Sequence, residues 1–245
     1  MICGVRLAIC LPTYNERESL EPIVRALDDV FARNGLDGRV LVLDDASPDG
    51  TGVLADRLAA ELPWLDVVHR PRKDGLGPAY LAGFERVLAE GAELVMEMDC
   101  DFSHDPADVP RLVAATADAD LVIGSRYVPG GGVRNWGPVR RAVSRSGCLY
   151  AQAILALPVR DATAGFRCFR RRVLEAIGLE RVTSRGYAFQ VETTYRVVRA
   201  GFRVVEVPIV FAERKAGSSK MTRGIVAEAV VKVPALRLAA ALGRL

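Results

Sequence analysis

Residues 94–101 read Leu94-Val95-Met96-Glu97-Met98-Asp99-Cys100-Asp101: a short, mostly apolar run of the kind that forms a buried strand, ended by two carboxylates one residue apart. The same plan recurs on the N-terminal side. Leu7 to Leu11 (LAICL) precedes Pro12-Thr13-Tyr14-Asn15-Glu16, and Val40 to Leu43 precedes Asp44-Asp45-Ala46-Ser47-Pro48-Asp49-Gly50-Thr51. It recurs once more downstream, where Leu121 to Ile123 leads through Gly124 to Ser125-Arg126-Tyr127. Between these runs, Leu20 to Phe31, Gly52 to Leu62, Ala79 to Leu88 and Pro106 to Ala115 carry apolar residues at helical spacing, and Val67 to His69 is a further short strand. Strands alternating with helices predict an α/β fold, a mainly parallel Rossmann-like sheet flanked by helices. Such sheets bind ligands beyond the carboxyl ends of their strands. Acids and an arginine are delivered to that edge.

The second half is less regular. A Gly- and Arg-rich loop (Pro129 to Pro138) leads to an apolar helix (Val139 to Leu157). A GFRCF run (Gly165 to Phe169), a helix near Phe189 to Arg199 and a strand (Phe202 to Phe211) follow. A basic loop with Lys215 to Lys220 then precedes a final amphipathic helix in about 225–245. No linker or repeat divides the chain, so residues 1–245 are expected to form a single domain.

Composition excludes several functions. Lys plus Arg number 33 against 30 Asp plus Glu, a net charge of +3 too small for a dedicated nucleic-acid binder. Lysine occurs only at 73, 215, 220 and 232, so the cationic side is nearly all arginine, the residue suited to forked anion recognition. His69 and His104 are the only histidines, which argues against His-rich zinc sites. The cysteines Cys3, Cys10, Cys100, Cys148 and Cys168 are scattered, as expected of buried thiols in a reducing compartment. No secretory leader is expected. The stretch Ile225 to Leu242 is interrupted by Glu228, Lys232, Pro234 and Arg237, so it is expected to lie on a membrane and not to cross one.

Asp99 and Asp101 at a strand end suit Mg²⁺ or Mn²⁺, which take oxygen ligands. Ser47 to Thr51 reads as a turn with a helix cap, whereas the adjacent Asp44 and Asp45 need a partner such as a nucleotide ring N–H or ribose hydroxyl. Gly75-Leu76-Gly77-Pro78 lacks the following Lys-Ser/Thr of a phosphate loop and reads as a helix start. Arg134, Arg140, Arg141 and Arg145 surround Trp136, and an exposed indole among cations has the composition of a membrane-interface contact.

These motifs, PTYNE, DDASPDGT, DCDFSHDP, GSRYVPGGGVRNW and RKAGSSKM, span Pro12 to Met221. They resemble the family 2 glycosyltransferases of GT-A fold, and more narrowly the polyprenol (dolichol) monophosphate mannose synthases. The resemblance implies a metal-dependent, inverting transfer of mannose from GDP-mannose to a polyprenyl or dolichyl phosphate. It implies that Pro12, Tyr14, Glu16, Leu43 and Asp45 hold the guanosine. Asp99, Cys100 and Asp101 would surround the pyrophosphate, and Mg²⁺ or Mn²⁺ would sit on Asp99, Asp101 and Ser103. Arg126 would contact the donor, Arg140 and Ser144 the acceptor phosphate, and Arg214 and Lys220 the phosphates from a closing loop. Cys100 stands where alanine is usual. The transmembrane helices of some relatives are lacking, so attachment to the cytoplasmic face of the membrane is expected to be peripheral or through an integral-membrane partner. The rival readings are a polyprenyl-phosphate glucosyltransferase using UDP-glucose, a catalytically silent sugar-nucleotide-binding scaffold, and a nucleotidyltransferase, which the missing glycine-rich signature after the first strand disfavours.

Overall fold

The structure is a computed structural model that describes residues 6–213 and 223–245. The chain begins with alternating strands and helices: β1 (Arg6–Thr13), α1 (Arg17–Asn34), β2 (Asp37–Asp44), α2 (Thr51–Glu61), β3 (Leu65–His69), α3 (Leu76–Ala89) and β4 (Leu94–Glu97). A 3₁₀ turn (Pro106–Asp108) opens α4 (Val109–Ala115), followed by β5 (Leu121–Ser125), β6 (Gly132–Val133) and α5 (Pro138–Leu155). The rest comprises β7 (Arg167–Arg170), α6 (Arg171–Ala176), α7 (Tyr187–Arg199), β8 (Val204–Pro208), β9 (Val210–Phe211) and α8 (Arg223–Ala241).

Seven strands form one sheet in the order β3-β2-β1-β4-β7-β5-β8. All pairings are parallel except those of β7, which runs antiparallel to both β4 and β5. Alternation within each strand sends neighbours to opposite faces. Ala8 and Cys10 of β1 join Leu41 and Leu43 of β2 against α3, α5, α7 and α8. Leu7, Ile9 and Leu11 with Val40 and Val42 pack against α1, α2 and α4. Both faces are covered, which is why the strands read as near-continuous apolar runs.

The expected strand from Phe202 to Phe211 is broken. Ile209, 3% exposed, inserts between β8 and β9, its N–H donating to Ser125 O at 3.0 Å while Gly132 N–H donates to its carbonyl. That break lets β9 leave the main sheet and pair with β6. The expected helix from Pro106 starts as the 3₁₀ turn, capped by the Asp105 carboxylate on Ala107 N–H at 2.9 Å. α5 stops at Ala156, in the left-handed region at φ 53°, before Pro158. The glycines at the head of α3 are packing devices. Gly75 has φ 101°, and a Cβ on Gly77 would sit 2.3 Å from Ser184 O.

Candidate active site

The carboxyl ends of β1, β2, β4 and β5 share one edge of the sheet, and the polar motifs lie there. The loops after β1 and β2 are stitched together. Asn15 N–H donates to Ser47 Oγ at 3.0 Å, Glu16 N–H to Thr51 Oγ1 at 3.0 Å and Arg17 N–H to Asp49 Oδ2 at 3.2 Å. The β2 loop thus satisfies orphan donors at the start of α1. Asp49 also accepts the Thr51 N–H and hydroxyl. Burial works against its charge, but these hydrogen bonds outweigh it and hold the carboxyl below its ordinary range.

The adjacent acids expected to need a ligand have protein partners. Asp44 accepts the Ser47 hydroxyl at 2.6 Å, the Ser47 N–H at 3.1 Å and the Thr13 hydroxyl at 3.2 Å. Asp45 is ion-paired to Arg70 at 2.5 Å. Burial pushes the Asp45 carboxyl up despite that guanidinium. Lys73 lies 3.9 Å above the Tyr14 ring, so Arg70 and Lys73 after β3 are site-wall residues that sequence reasoning missed. Pro12 and Tyr14 are half-buried, Glu16 is 9% exposed, and the Leu43 side chain is fully buried in the core.

The turn after β4 is tight. Phe102 has φ 60°, Asp101 Oδ1 accepts Ser103 N–H at 3.0 Å, and Asp99 N–H donates to His104 Nδ1 at 3.1 Å. That bond uses the ring Nδ1 as its acceptor. His104 stacks on Phe166 with centroids 4.8 Å apart, so this histidine, given no role by sequence, braces the two-carboxylate turn. Asp101 and Cys100 are each 2% exposed, and Asp99 is half-buried. The Ser103 hydroxyl is buried and has no hydrogen-bond partner among the described residues. An orphaned hydroxyl beside Asp101 fits an oxygen-ligated divalent cation. Among the described residues no group of three or more His, Cys, Asp or Glu side chains gathers, so protein carboxylates alone do not complete a cage. Beneath the turn, Gln190 Nε2 donates to Glu97 at 2.7 Å, and burial raises the Glu97 carboxyl to about 7.

Arg126, at the end of β5, is 8% exposed. Its Nε and Nη2 donate to Asp161 at 2.7 and 2.6 Å, and Nη2 also donates to Thr163 at 2.9 Å. Glu206 of β8 holds the Asp161 backbone N–H at 2.9 Å. Asp161 and Thr163 were missed by sequence, where Asp161 follows Arg160 in the short segment ALPVRDATA and carries no signal of a distant partner. Arg140 pairs with Glu213 at 2.9 Å, and the Tyr127 hydroxyl donates to Ser144 Oγ at 2.7 Å. Trp136 is not the exposed indole that was expected. It is 7% exposed, edge-on to Phe211 at 5.4 Å and covered by Arg140 at 4.2 Å. Arg214 and Lys220 lie outside the described residues.

One residue joins the two halves of this edge. The Phe211 ring lies 5.4 Å from both His104 and Trp136 and 5.6 Å from the Arg126 guanidinium, while Ala212 N–H donates to Ser103 O at 3.2 Å. Carboxylate turn and arginine cluster therefore form one continuous wall.

The profile of the family described as Glycosyl transferase family 2 matches residues 8–178. The chain belongs to that family. As a family 2 glycosyltransferase it is 51% identical over 236 residues to an undecaprenyl-phosphate mannosyltransferase of Micrococcus luteus, covering 96% of each chain. It is 49% identical to a polyprenol monophosphomannose synthase of Mycolicibacterium smegmatis, covering 93% of this chain and 85% of that one. In fold it is similar to glucosyl-3-phosphoglycerate synthase from Mycobacterium tuberculosis, solved in complex with Mn²⁺, UDP-glucose and phosphoglyceric acid. The TM-score is 0.69 at 20% identity, covering 94% of this chain and 80% of that one. The fold is thus that of a GT-A glycosyltransferase.

Proposed function

We propose that this glycosyltransferase moves mannose from GDP-mannose to the phosphate of a polyprenyl or dolichyl carrier, with inversion, giving polyprenyl β-mannosyl phosphate. The observation that carries the reading is the shared wall: the Phe211 ring touches both His104, behind the carboxylate turn, and Trp136, beneath Arg140. A donor pyrophosphate on one half and an acceptor phosphate on the other would meet across it. The names of the two mannosyltransferase relatives support the same chemistry.

Pro12, Tyr14, Glu16, the Leu43 backbone and Asp45 hold the guanosine, and Asp99, Cys100 and Asp101 flank the pyrophosphate. Asp99, Asp101 and Ser103 would hold Mg²⁺ or Mn²⁺. When bound, the cation neutralises charge on the departing nucleotide. Arg126, fixed by Asp161, contacts the donor, while Arg140 and Ser144 orient the acceptor. A phosphate monoester, with its second pKa near 6, is already an anion at neutral pH and needs no general base. Forked arginine hydrogen bonds suffice to align it.

Among the described residues no helix is long and apolar enough to cross a membrane. Val139, Val143 and Leu149 on α5, Val231 and Leu238 on α8, and Leu242 just after it are nonetheless exposed. The two helices touch, with Tyr150 hydroxyl donating to Val230 O at 2.9 Å. An apolar surface beside exposed Arg134 and Arg141 suits peripheral binding to the cytoplasmic face of an anionic bilayer. Arg214 and Lys220 are assigned to the donor phosphates from the sequence resemblance alone.

The deciding experiment is transfer of radiolabel to a short polyprenyl phosphate, with GDP-mannose and UDP-glucose as donors and with or without a chelator. Label from GDP-mannose that is lost on chelation is the expected result; label from UDP-glucose alone would overturn the donor assignment.

A further inference from the structure

Trp136 sits between β6 and α5, buried at 7% exposure. Its ring is held on several sides: the Arg140 guanidinium lies 4.2 Å from the ring centroid, Phe211 meets it edge-on at 5.4 Å, and Arg126 is 5.6 Å away. Its indole Nε1–H is buried and has no acceptor among the described residues. An unmet buried donor is costly, and native structures rarely keep one without a reason. The surroundings narrow what would meet it. Two guanidinium groups within 6 Å of one indole disfavour another cation and favour an oxyanion. Arg126 spends Nε and Nη2 on Asp161 and Thr163, and its Nη1 makes no hydrogen bond among the described residues.

We propose that the Trp136 indole N–H is a further hydrogen-bond donor to the acceptor phosphate, beside Arg140. The assignment rests on the acceptor-site reading above and adds a residue to it. A phosphate monoester offers three terminal oxygens, and the indole supplies a rigid donor whose desolvation cost is met during folding and not on binding. The ring itself separates and orients the two guanidinium groups through cation–π contacts.

Trp136→Phe keeps an aromatic ring beneath Arg140 but removes the N–H together with the rest of the five-membered ring, so the emission measurement on the intact indole stands beside it. The variant's KM for a short polyprenyl phosphate is expected to rise roughly tenfold, as for loss of one hydrogen bond to a charged group, while the dissociation constant for GDP stays within about twofold. Trp64 is the only other tryptophan, so in a Trp64→Phe background the emission is that of Trp136 alone and reports on the surroundings of its indole. That emission is expected to shift on titration with the polyprenyl phosphate and not with the matching uncharged polyprenol. Unchanged emission with the phosphate, or an unchanged acceptor KM in Trp136→Phe, would overturn the assignment. Arg140→Ala separates the two levels. If it raises the acceptor KM while Trp136→Phe does not, the indole alone is misassigned; if neither does, the acceptor-site reading fails and the indole assignment with it.

Discussion

Asp161 and Arg126 form a buried two-pronged ion pair, with Nε to Oδ2 at 2.7 Å and Nη2 to Oδ1 at 2.6 Å, the carboxylate fully excluded from solvent. Asp161 also accepts the Arg126 backbone N–H at 2.9 Å, so one carboxylate sets both the main chain and the side chain of that arginine. Removing it in Asp161→Ala leaves a buried guanidinium without its anion and is expected to cost roughly 3–5 kcal/mol of stability. Denaturant unfolding measures this, and a loss under about 1 kcal/mol would mean that the pair contributes little.

The same pair has a pH signature. Burial disfavours the Asp161 carboxylate, but the Arg126 hydrogen bonds and charge outweigh it and hold it below its ordinary value of 3.8. A depressed folded-state value contributes stability that is present above pH about 4 and is lost as pH falls through the folded value. Thermal unfolding of the native chain is therefore expected to weaken more steeply below pH about 4 than that of Asp161→Asn. Parallel curves for the two proteins would contradict the linkage.

Asp101→Ala is expected to abolish cation-dependent transfer while leaving far-ultraviolet circular dichroism native, with the unfolding midpoint lowered only by the loss of the hydrogen bond that its carboxylate accepts from Ser103 N–H. Unchanged turnover with Mg²⁺ or Mn²⁺ would sink the cation assignment.

Arg140→Ala is expected to raise the acceptor KM roughly 10–100-fold, the range for losing a charged hydrogen bond, and to alter GDP affinity little. Kinetics with varied polyprenyl phosphate and calorimetry with GDP test the division; equal losses in both would refute it.

Gly77→Ala addresses the fold alone. The added Cβ would lie 2.3 Å from the Ser184 carbonyl oxygen, a backbone atom that moves only with its loop. A loss of roughly 1–3 kcal/mol is expected, typical of overpacking, with the cation requirement for transfer unchanged. Native stability in this variant would show that the head of α3 can shift freely.

The parallel sheet was legible because both faces are covered, so each strand from Leu7 to Ile123 reads as a short apolar run that stops where polar residues begin. The carboxylates were legible for the same reason: Asp45, Asp99 and Asp101 follow those runs within one to three residues. The break at Ile209 was not, because a residue that leaves one sheet to join another keeps the same apolar, β-branched pattern. Trp136 misled, since arginines crowded around an indole look alike in sequence whether the ring faces solvent or is covered by their guanidinium groups.

The sequence alone determined which residues end strands and helices, and so which acids and arginines reach one edge, since local periodicity reports local backbone and burial. Only the tertiary structure decided their partners. β7 enters between β4 and β5 in the opposite direction, so the segment that leads into it, with Asp161 and Thr163, arrives where its parallel neighbours end. Arg126 meets a carboxylate 35 positions away by that reversal. No local pattern encodes it, because strand direction is settled by how the later helices pack across the sheet.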